Sequence, residues 1–344
     1  MPAKAIRFHN SVFQLLICSM IAWLLLVPSP VLADESIEVA VSLKVEQITG
    51  IDQKSENFGA VVALVLKWNE PGLAINPGEK DRPRRMYSVA SFVDLLTKRE
   101  LSWPAFSFYN LQGRVDYQNQ GVTVDSVGNV QSFARLTATF QAPDFDFRHF
   151  PLDEQSFDLK LDSLSPLQQF VFKVDSDSSG LGDALGEEEW VLTNARTAVT
   201  THHELGFAAS RFLLTFEGRR HLNYYVVRIL IPATIIILVS WFSFFLSDYP
   251  MRINLASGNL LLFVAFNFTI ANDLPRLGYL TLMDTFLLAT FAITGVGVLV
   301  NVWLRRLQNQ GKEKLVKYLD RFGTWSYPLY YAGAGFLMMY LFYV

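Results

Sequence analysis

Six residues between positions 254 and 272 carry the most unusual chemistry in the sequence. Asn254, Gly258, Leu261, Ala265, Phe268 and Asn272 recur at spacings of 4, 3, 4, 3 and 4, which aligns them on one stripe of a helix. The stripe has polar ends and an apolar middle, and it lies within a hydrophobic run long enough to cross a membrane. Polar groups in hydrocarbon are costly unless they face protein or water. Two arrangements meet that condition. One is a packing seam in which Gly258 admits a neighbouring helix. The other is the wall of a water-filled pore. A single helix cannot enclose a pore, so the second arrangement needs several subunits around an axis. Leu261 and Phe268 would then form apolar rings that gate by dewetting. Periodicity alone leaves both arrangements open.

Histidines are the next candidates, because their charge changes between pH 5 and 8. Beyond the N-terminal segment they are His149, His202, His203 and His221. His202-His203-Glu204 also offers metal-ligand types, but adjacent histidines on a strand point to opposite faces, so no metal site is expected there. No cofactor is expected either. The sequence has no nucleophile elbow, phosphate loop or HExxH motif, which argues against an enzyme. A net charge of −3 with no basic stripe argues against nucleic acid as a partner. Cys18 is the single cysteine, so no intrachain disulfide can form.

The elements that must position these residues divide sharply. Of the 344 residues 51% are hydrophobic, which directs attention to membrane segments. Lys4 and Arg7 precede the apolar run Val12 to Val27, which Pro28 and Pro30 end before Ala33. Residues 1–33 therefore read as a signal peptide. Residues 34–221 read as all-β. Ile37, Val39, Val41, Leu43 and Val45 alternate with other residues, as do Phe157, Leu159 and Leu161, and Phe212, Leu214 and Phe216. Recurrent turn signals between such runs imply a β-sandwich. Residues 222–344 read as a membrane domain with helices at about 224–246, 251–271, 279–304 and 325–344. The connection 305–324 holds six basic and two acidic residues, a net of +4, which puts it in the cytoplasm. The β-domain and the C-terminus then lie outside, in agreement with export by the signal peptide.

The segment His149-Phe150-Pro151-Leu152-Asp153-Glu154-Gln155 closely resembles the signature loop of the pentameric ligand-gated ion channels, also called Cys-loop receptors. Trp103-Pro104 with Tyr109-Asn110, Trp68-Asn69-Glu70, Pro232, Ala265-Phe266-Asn267 and Leu274-Pro275-Arg276-Leu277 resemble further family motifs in the same order. Pro143 and Phe157 occupy the two positions of the family's disulfide, which resembles the bacterial branch. The resemblance implies an immunoglobulin-like sandwich on an all-α four-helix bundle, assembled as a homopentamer in the bacterial inner membrane. The second span would line the pore, which settles the two readings of the stripe. Asn254 would lie at its cytoplasmic end and Asn272 at its outer mouth.

The resemblance also assigns roles to further residues. Asp248, Arg252 and Asp273 are the expected pore-mouth charges. Pro250-Met251-Arg252 resembles the turn of anion channels, whereas the bacterial members conduct cations. A cation-selective pore for monovalent ions is expected, with an anion-selective one as the alternative. The agonist site would use Tyr109, Leu164, Phe207 and Phe212, with Ala63 on the neighbouring subunit, and would take an unknown small molecule or protons. Asp52, Phe150, Pro151, Asp153, Arg220, Leu274 and Pro275 would couple the domains, with Arg220 and Asp153 as an ion pair. The non-channel alternative is a membrane-anchored periplasmic binding module.

Overall fold

The computed structural model describes residues 36–75, 84–183, 185–186, 189–271 and 277–343. The expected signal peptide, 1–33, lies outside the described residues, as do Asn272, Asp273, Leu274 and Pro275.

Alternation of apolar and polar residues builds the first half into strands. In order they are β1 (Ile37–Asp52), β2 (Asn57–Asn69), β3 (Arg84–Tyr87), β4 (Phe106–Phe108), β5 (Leu111–Asp125) and β6 (Asn129–Gln141). They continue as β7 (Glu154–Pro166), β8 (Phe170–Val174), β9 (Gly180–Leu181), β10 (Trp190–His202) and β11 (Ala209–Arg220). A short helix, α1 (Val89–Lys98), is capped by the Ser88 hydroxyl, which accepts from Ser91 N. One sheet runs β3-β5-β6-β2-β1-β8, with β9 also paired to β1, and the other runs β10-β11-β7-β4. This is the expected sandwich.

Val39, Val41, Leu43 and Val45 of β1 are buried at odd positions, but the next buried apolar residue is Ile48. A register shift against β2 between Val45 and Gln47 explains the change of parity, because one extra residue turns every later side chain to the other face. Between the sheets lies an aromatic core. Phe157 stacks on Phe216 at 5.2 Å and meets Phe58 and Trp190 edge-on at 5.2 and 5.9 Å. Each fully buried ring contributes roughly 1.5–3 kcal/mol. Phe157 is one of the expected disulfide positions, so rings clamp this strand where a covalent bond would otherwise stand. Gly218 on β11 permits the fit, since a Cβ there would lie 2.7 Å from the Phe157 ring.

The second half is helical. Among the described residues, three of its helices are long and apolar enough to cross a membrane: α2 (Leu222–Ser243), α3 (Tyr249–Ile270) and α4 (Leu282–Asn309). The fourth is α5 (Glu313–Tyr343), with Pro328 inside it. Pro232 follows a wide turn over Val226–Leu230 within α2, which accommodates the missing N–H of proline. Thr281 and Asp284 close a reciprocal capping box at the start of α4.

The expected loop 305–324 is corrected by this arrangement. α4 continues to Asn309 and α5 begins at Glu313, leaving Gln310, Gly311 and Lys312 as the link. Hydropathy marks the thickness of the hydrocarbon, and charged helix formers such as Lys314 and Lys317 extend a helix beyond it.

Candidate functional site

α3 buries one face against its own chain and leaves the other open. Arg252, Ala256, Asn259, Phe263 and Ile270 are its buried residues apart from Tyr249. Asn259 fixes this face by donating to the Ile236 carbonyl at 2.7 Å and to the Ser240 hydroxyl at 2.5 Å, both on α2. The stripe lies opposite. Asn254, Gly258 and Ala265 are exposed, and Leu261 and Phe268 are 70% and 77% exposed. Among the described residues, no atom lies within 4 Å of a Cβ built on Gly258. The packing seam is therefore excluded within one subunit, and the stripe is an apolar surface without a partner among the described residues of its own chain.

Charges at the start of α3 divide in the same way. Asp248 is exposed and caps the helix, its carboxylate accepting from Met251 N at 3.2 Å. Arg252 is completely buried, which corrects its expected place at the pore mouth. It donates to Asp320 of α5 at 2.8 Å and lies 5.0 Å from the ring centres of both Phe244 and Tyr249. A guanidinium can be desolvated when a carboxylate and aromatic faces replace water.

The junction between the halves is built around the loop of residues 143–153. Phe150 and Pro151 are buried, and the peptide between them is cis. The Arg148 and Phe150 carbonyls accept from Leu282 N at 2.8 Å and Met283 N at 3.2 Å. These are the first N–H groups of α4, which a helix cannot satisfy itself. Phe150 packs edge-on against Tyr225 at 5.2 Å. His149 Nε2 lies 2.6 Å from the Phe342 carbonyl at the end of α5. The loop thus grips α2, α4 and α5 together.

Arg220 at the end of β11 pairs with Asp153 at 2.9 Å, with both side chains sealed from solvent. This is the expected pair. The structure adds Glu189, which accepts from Arg220 at 2.7 Å and from the Tyr225 hydroxyl at 3.1 Å. The Arg220 guanidinium also lies 4.1 Å from the Trp190 ring centre and 4.8 Å from that of Phe150. Asp52 does not reach a helix among the described residues. Its carboxylate accepts from Lys54 N, Ser55 N and the Ser55 hydroxyl. The Ser55 hydroxyl, foremost among these, holds its carboxyl below the usual range. It is Gln53 that ties this turn to the network, through Glu189 at 3.4 Å.

A third cluster forms on the outer face of the four-stranded sheet. Arg211 forks onto Asp162, with Nε to Oδ1 at 2.6 Å and Nη2 to Oδ2 at 2.7 Å, and its guanidinium covers the exposed Tyr109 ring at 4.2 Å. Asp162 holds the Arg211 pKa above its ordinary value. Glu204 meets Arg211 at 3.2 Å and His202 Nδ1 at 2.5 Å. Although burial opposes it, the His202 bond and the Arg211 charge keep the Glu204 carboxyl below its usual range. Leu164 and Phe207 are exposed, on β7 and in the β10–β11 turn. Phe212 is fully buried in the core, which corrects its expected place in the agonist pocket: the alternation that makes β11 turns it inward. Ala63 is half-buried on the other sheet, between Lys44 and Arg135 in register. His202 is buried, whereas His203 and His221 are exposed. Sequence reasoning missed Asp162, Arg211, Glu189, Gln53 and Asp320; charged residues at outward strand positions were the available signal for the first two.

A two-sheet β-sandwich docked onto helices long and apolar enough to cross a membrane defines the molecule as a membrane protein with a β-sandwich domain. Comparison with known proteins gives the class its name. Residues 27–217 match the neurotransmitter-gated ion-channel ligand binding domain, and residues 229–320 match the neurotransmitter-gated ion-channel transmembrane region. The chain therefore belongs to the neurotransmitter-gated ion-channel family, as its motifs indicate. It is 24% identical over 324 residues to a proton-gated ion channel of Gloeobacter violaceus, covering 92% of this chain and 86% of that one. It is 23% identical to the gamma-aminobutyric acid receptor subunit rho-2 of Rattus norvegicus, over 85% of this chain and 63% of that subunit. For the human rho-1 subunit the identity is 23%, over 81% of this chain and 59% of the subunit. The chain thus spans less than two thirds of the rho subunits.

Proposed function

We propose that the protein forms a homopentameric, cation-selective channel of the bacterial inner membrane, gated by a small molecule or by protons, with α3 lining the pore. It works as a channel and not as an enzyme. The observation that carries this reading is the unpartnered stripe Asn254, Gly258, Leu261, Ala265 and Phe268. Leu261 and Phe268 alone would suit lipid, but the same exposed stripe carries Asn254, whose amide is costly in hydrocarbon unless it faces water or protein. Further copies of the chain around an axis supply that surrounding, and cyclic symmetry closes it. Rings of Leu261 and Phe268 then close the path by excluding water. Asn272, Asp273, Leu274 and Pro275 would form the outer mouth and its coupling loop.

Selectivity follows from the two charges at the start of α3. Arg252 is buried and spoken for by Asp320, so it gives the mouth no positive ring. Asp248 remains, exposed at the helix cap. A carboxylate ring concentrates cations and repels anions. The anion-selective alternative would need a basic ring that Arg252 does not provide.

Gating is a population shift. An agonist moves the closed–open equilibrium by its differential affinity for the two arrangements. Moving from 1% to 99% open takes about 5.5 kcal/mol, so five equivalent sites at about 1.1 kcal/mol each suffice. Tyr109, Leu164 and Phe207 offer the principal face of the agonist site. The Arg220–Asp153–Glu189 network and the 143–153 loop carry the change to α2, α4 and α5. The sandwich and the C-terminus face the periplasm.

The test is purified protein in a planar bilayer under a KCl gradient, with the bath stepped from about pH 9 to about pH 5 across the histidine range. Unitary current steps with a cation-selective reversal potential are expected. A reversal potential of the anion sign refutes the selectivity. Absence of unitary steps under every agonist and pH favours the membrane-anchored binding module.

A further inference from the structure

We propose that His202 and Asp162 form a binding site for a divalent transition-metal ion such as zinc, with Glu204 as the residue that orients the histidine. The site is read from side-chain geometry alone and does not depend on the pore.

Glu204 fixes the tautomer of His202. His202 Nδ1 lies 2.5 Å from a Glu204 carboxylate oxygen. A carboxylate only accepts, so Nδ1 carries the proton and donates. In the neutral ring Nε2 then bears the lone pair. That atom is sealed from solvent and has no hydrogen-bond partner among the described residues. It faces Asp162 Oδ2 at 3.8 Å. Two electron-rich atoms turned toward each other in a buried place repel unless something positive stands between them.

A proton on Nε2 would meet Asp162 by charge at 3.8 Å without making a hydrogen bond, which needs about 2.7–3.2 Å. The separation suits a metal better. Two ligand atoms at about 2.0–2.1 Å from one tetrahedral zinc lie roughly 3.4 Å apart, and a small side-chain rotation covers the difference from 3.8 Å. Asp162, His202 and Glu204 also bring their ligand atoms within 4.8 Å of one another. A metal-bound histidine characteristically donates its other ring N–H to a carboxylate, which is the role Glu204 already plays.

Charge supports the same reading. Asp162 and Glu204 share a single guanidinium, that of Arg211, so the cluster with neutral His202 keeps one negative charge for a cation to meet. Arg211 contacts Asp162 edge-on through its fork, and each carboxylate oxygen has a further lone pair for a metal. Glu204 is half exposed and gives the path of entry. An ion held here would tie the β10–β11 turn, which carries Phe207, to β7, which carries Leu164.

The test is calorimetric titration of zinc chloride into the purified full-length protein in detergent. Saturable binding with one zinc per subunit is expected. His202→Gln and Glu204→Ala should each weaken it by at least about tenfold, and Glu204→Gln should restore most of the loss, because its amide oxygen still accepts from Nδ1. His203→Gln, on the opposite face, should change nothing. Glu204 is at the surface, so its variants report even if His202→Gln fails to fold. No saturable binding by the wild type, or equal affinity in wild type and Glu204→Ala, overturns the proposal.

Discussion

Asp248→Asn separates charge from structure at the start of α3. Asp248 caps the helix through Met251 N, and asparagine caps about as well, within a few tenths of a kcal/mol. The helix therefore stays in place and only the charge is lost. A carboxylate about 6 Å from a permeant ion contributes roughly 0.7 kcal/mol at the dielectric of water. Salt at physiological strength reduces that by about half. A ring drawn from five subunits then favours a cation by about 1.5–2 kcal/mol, a factor of more than ten in occupancy. The reversal potential under a KCl gradient in planar bilayers reads this directly, and it should move toward zero in the variant. Arg252→Met provides the contrast. Its side chain is buried against Phe244 and Tyr249, so the reversal potential should stay at the wild-type value. An unshifted reversal potential in Asp248→Asn refutes the charge ring, and a marked shift in Arg252→Met refutes the assignment of Arg252 to the interior.

Leu261→Ala should wet the constriction and raise resting conductance, and Phe268→Ala should ease opening in the same direction; leak current without agonist measures both, and a tightly closed variant removes that residue from the gate. Asp153→Asn leaves Arg220 buried beside half-exposed Glu189, and breaking such a pair costs about 3–5 kcal/mol. The melting temperature should fall and the agonist response should shift; a fall in melting temperature with unchanged gating makes the pair purely structural. Tyr109→Ala should right-shift the agonist response and leave unitary conductance intact, and a change confined to conductance places Tyr109 outside the agonist site. Asp52 has a folded pKa held down by its Ser55 bonds. The order it gives the β1–β2 turn is therefore complete above the ordinary carboxylate pKa and is lost as pH falls through the lower folded value, below about pH 4. Hydrogen exchange at Lys54 and Ser55 should show no loss of protection from pH 9 to pH 5, once corrected for the intrinsic pH dependence of exchange, and should lose it only below that; a loss between pH 7 and pH 5 contradicts the assignment.

Much of this arrangement was legible in the residues. Alternation located β1, β7 and β11, and the 3.6-residue period located the exposed stripe of α3. The same period could have placed Arg252 correctly. It stands two residues before Asn254, about 200° around the helix, and so on the opposite face. Phe212 follows the same logic, since its alternation with Leu214 and Phe216 marks it as core. The meeting of Asp162 with Arg211, and so with Glu204, was not legible, because it depends on the pairing of Arg211 opposite Asp162 between β11 and β7. Register of that kind depends on the whole sheet and on bulges such as the one near Ala209. The helical stretch after 313 escaped a hydropathy reading because its first turns lie beyond the apolar run.

The proposed channel requires that one face of α3 border water in a pore. Cys18 is the only cysteine, and it lies in the expected signal peptide, so single cysteines introduced along α3 report without background. Currents through the channel should be blocked by a charged thiol reagent with cysteine at 254, 258, 261, 265 or 268, and should be unaffected with cysteine at 256, 259, 263 or 270. Block confined to the second set, or spread evenly over both, would contradict the account.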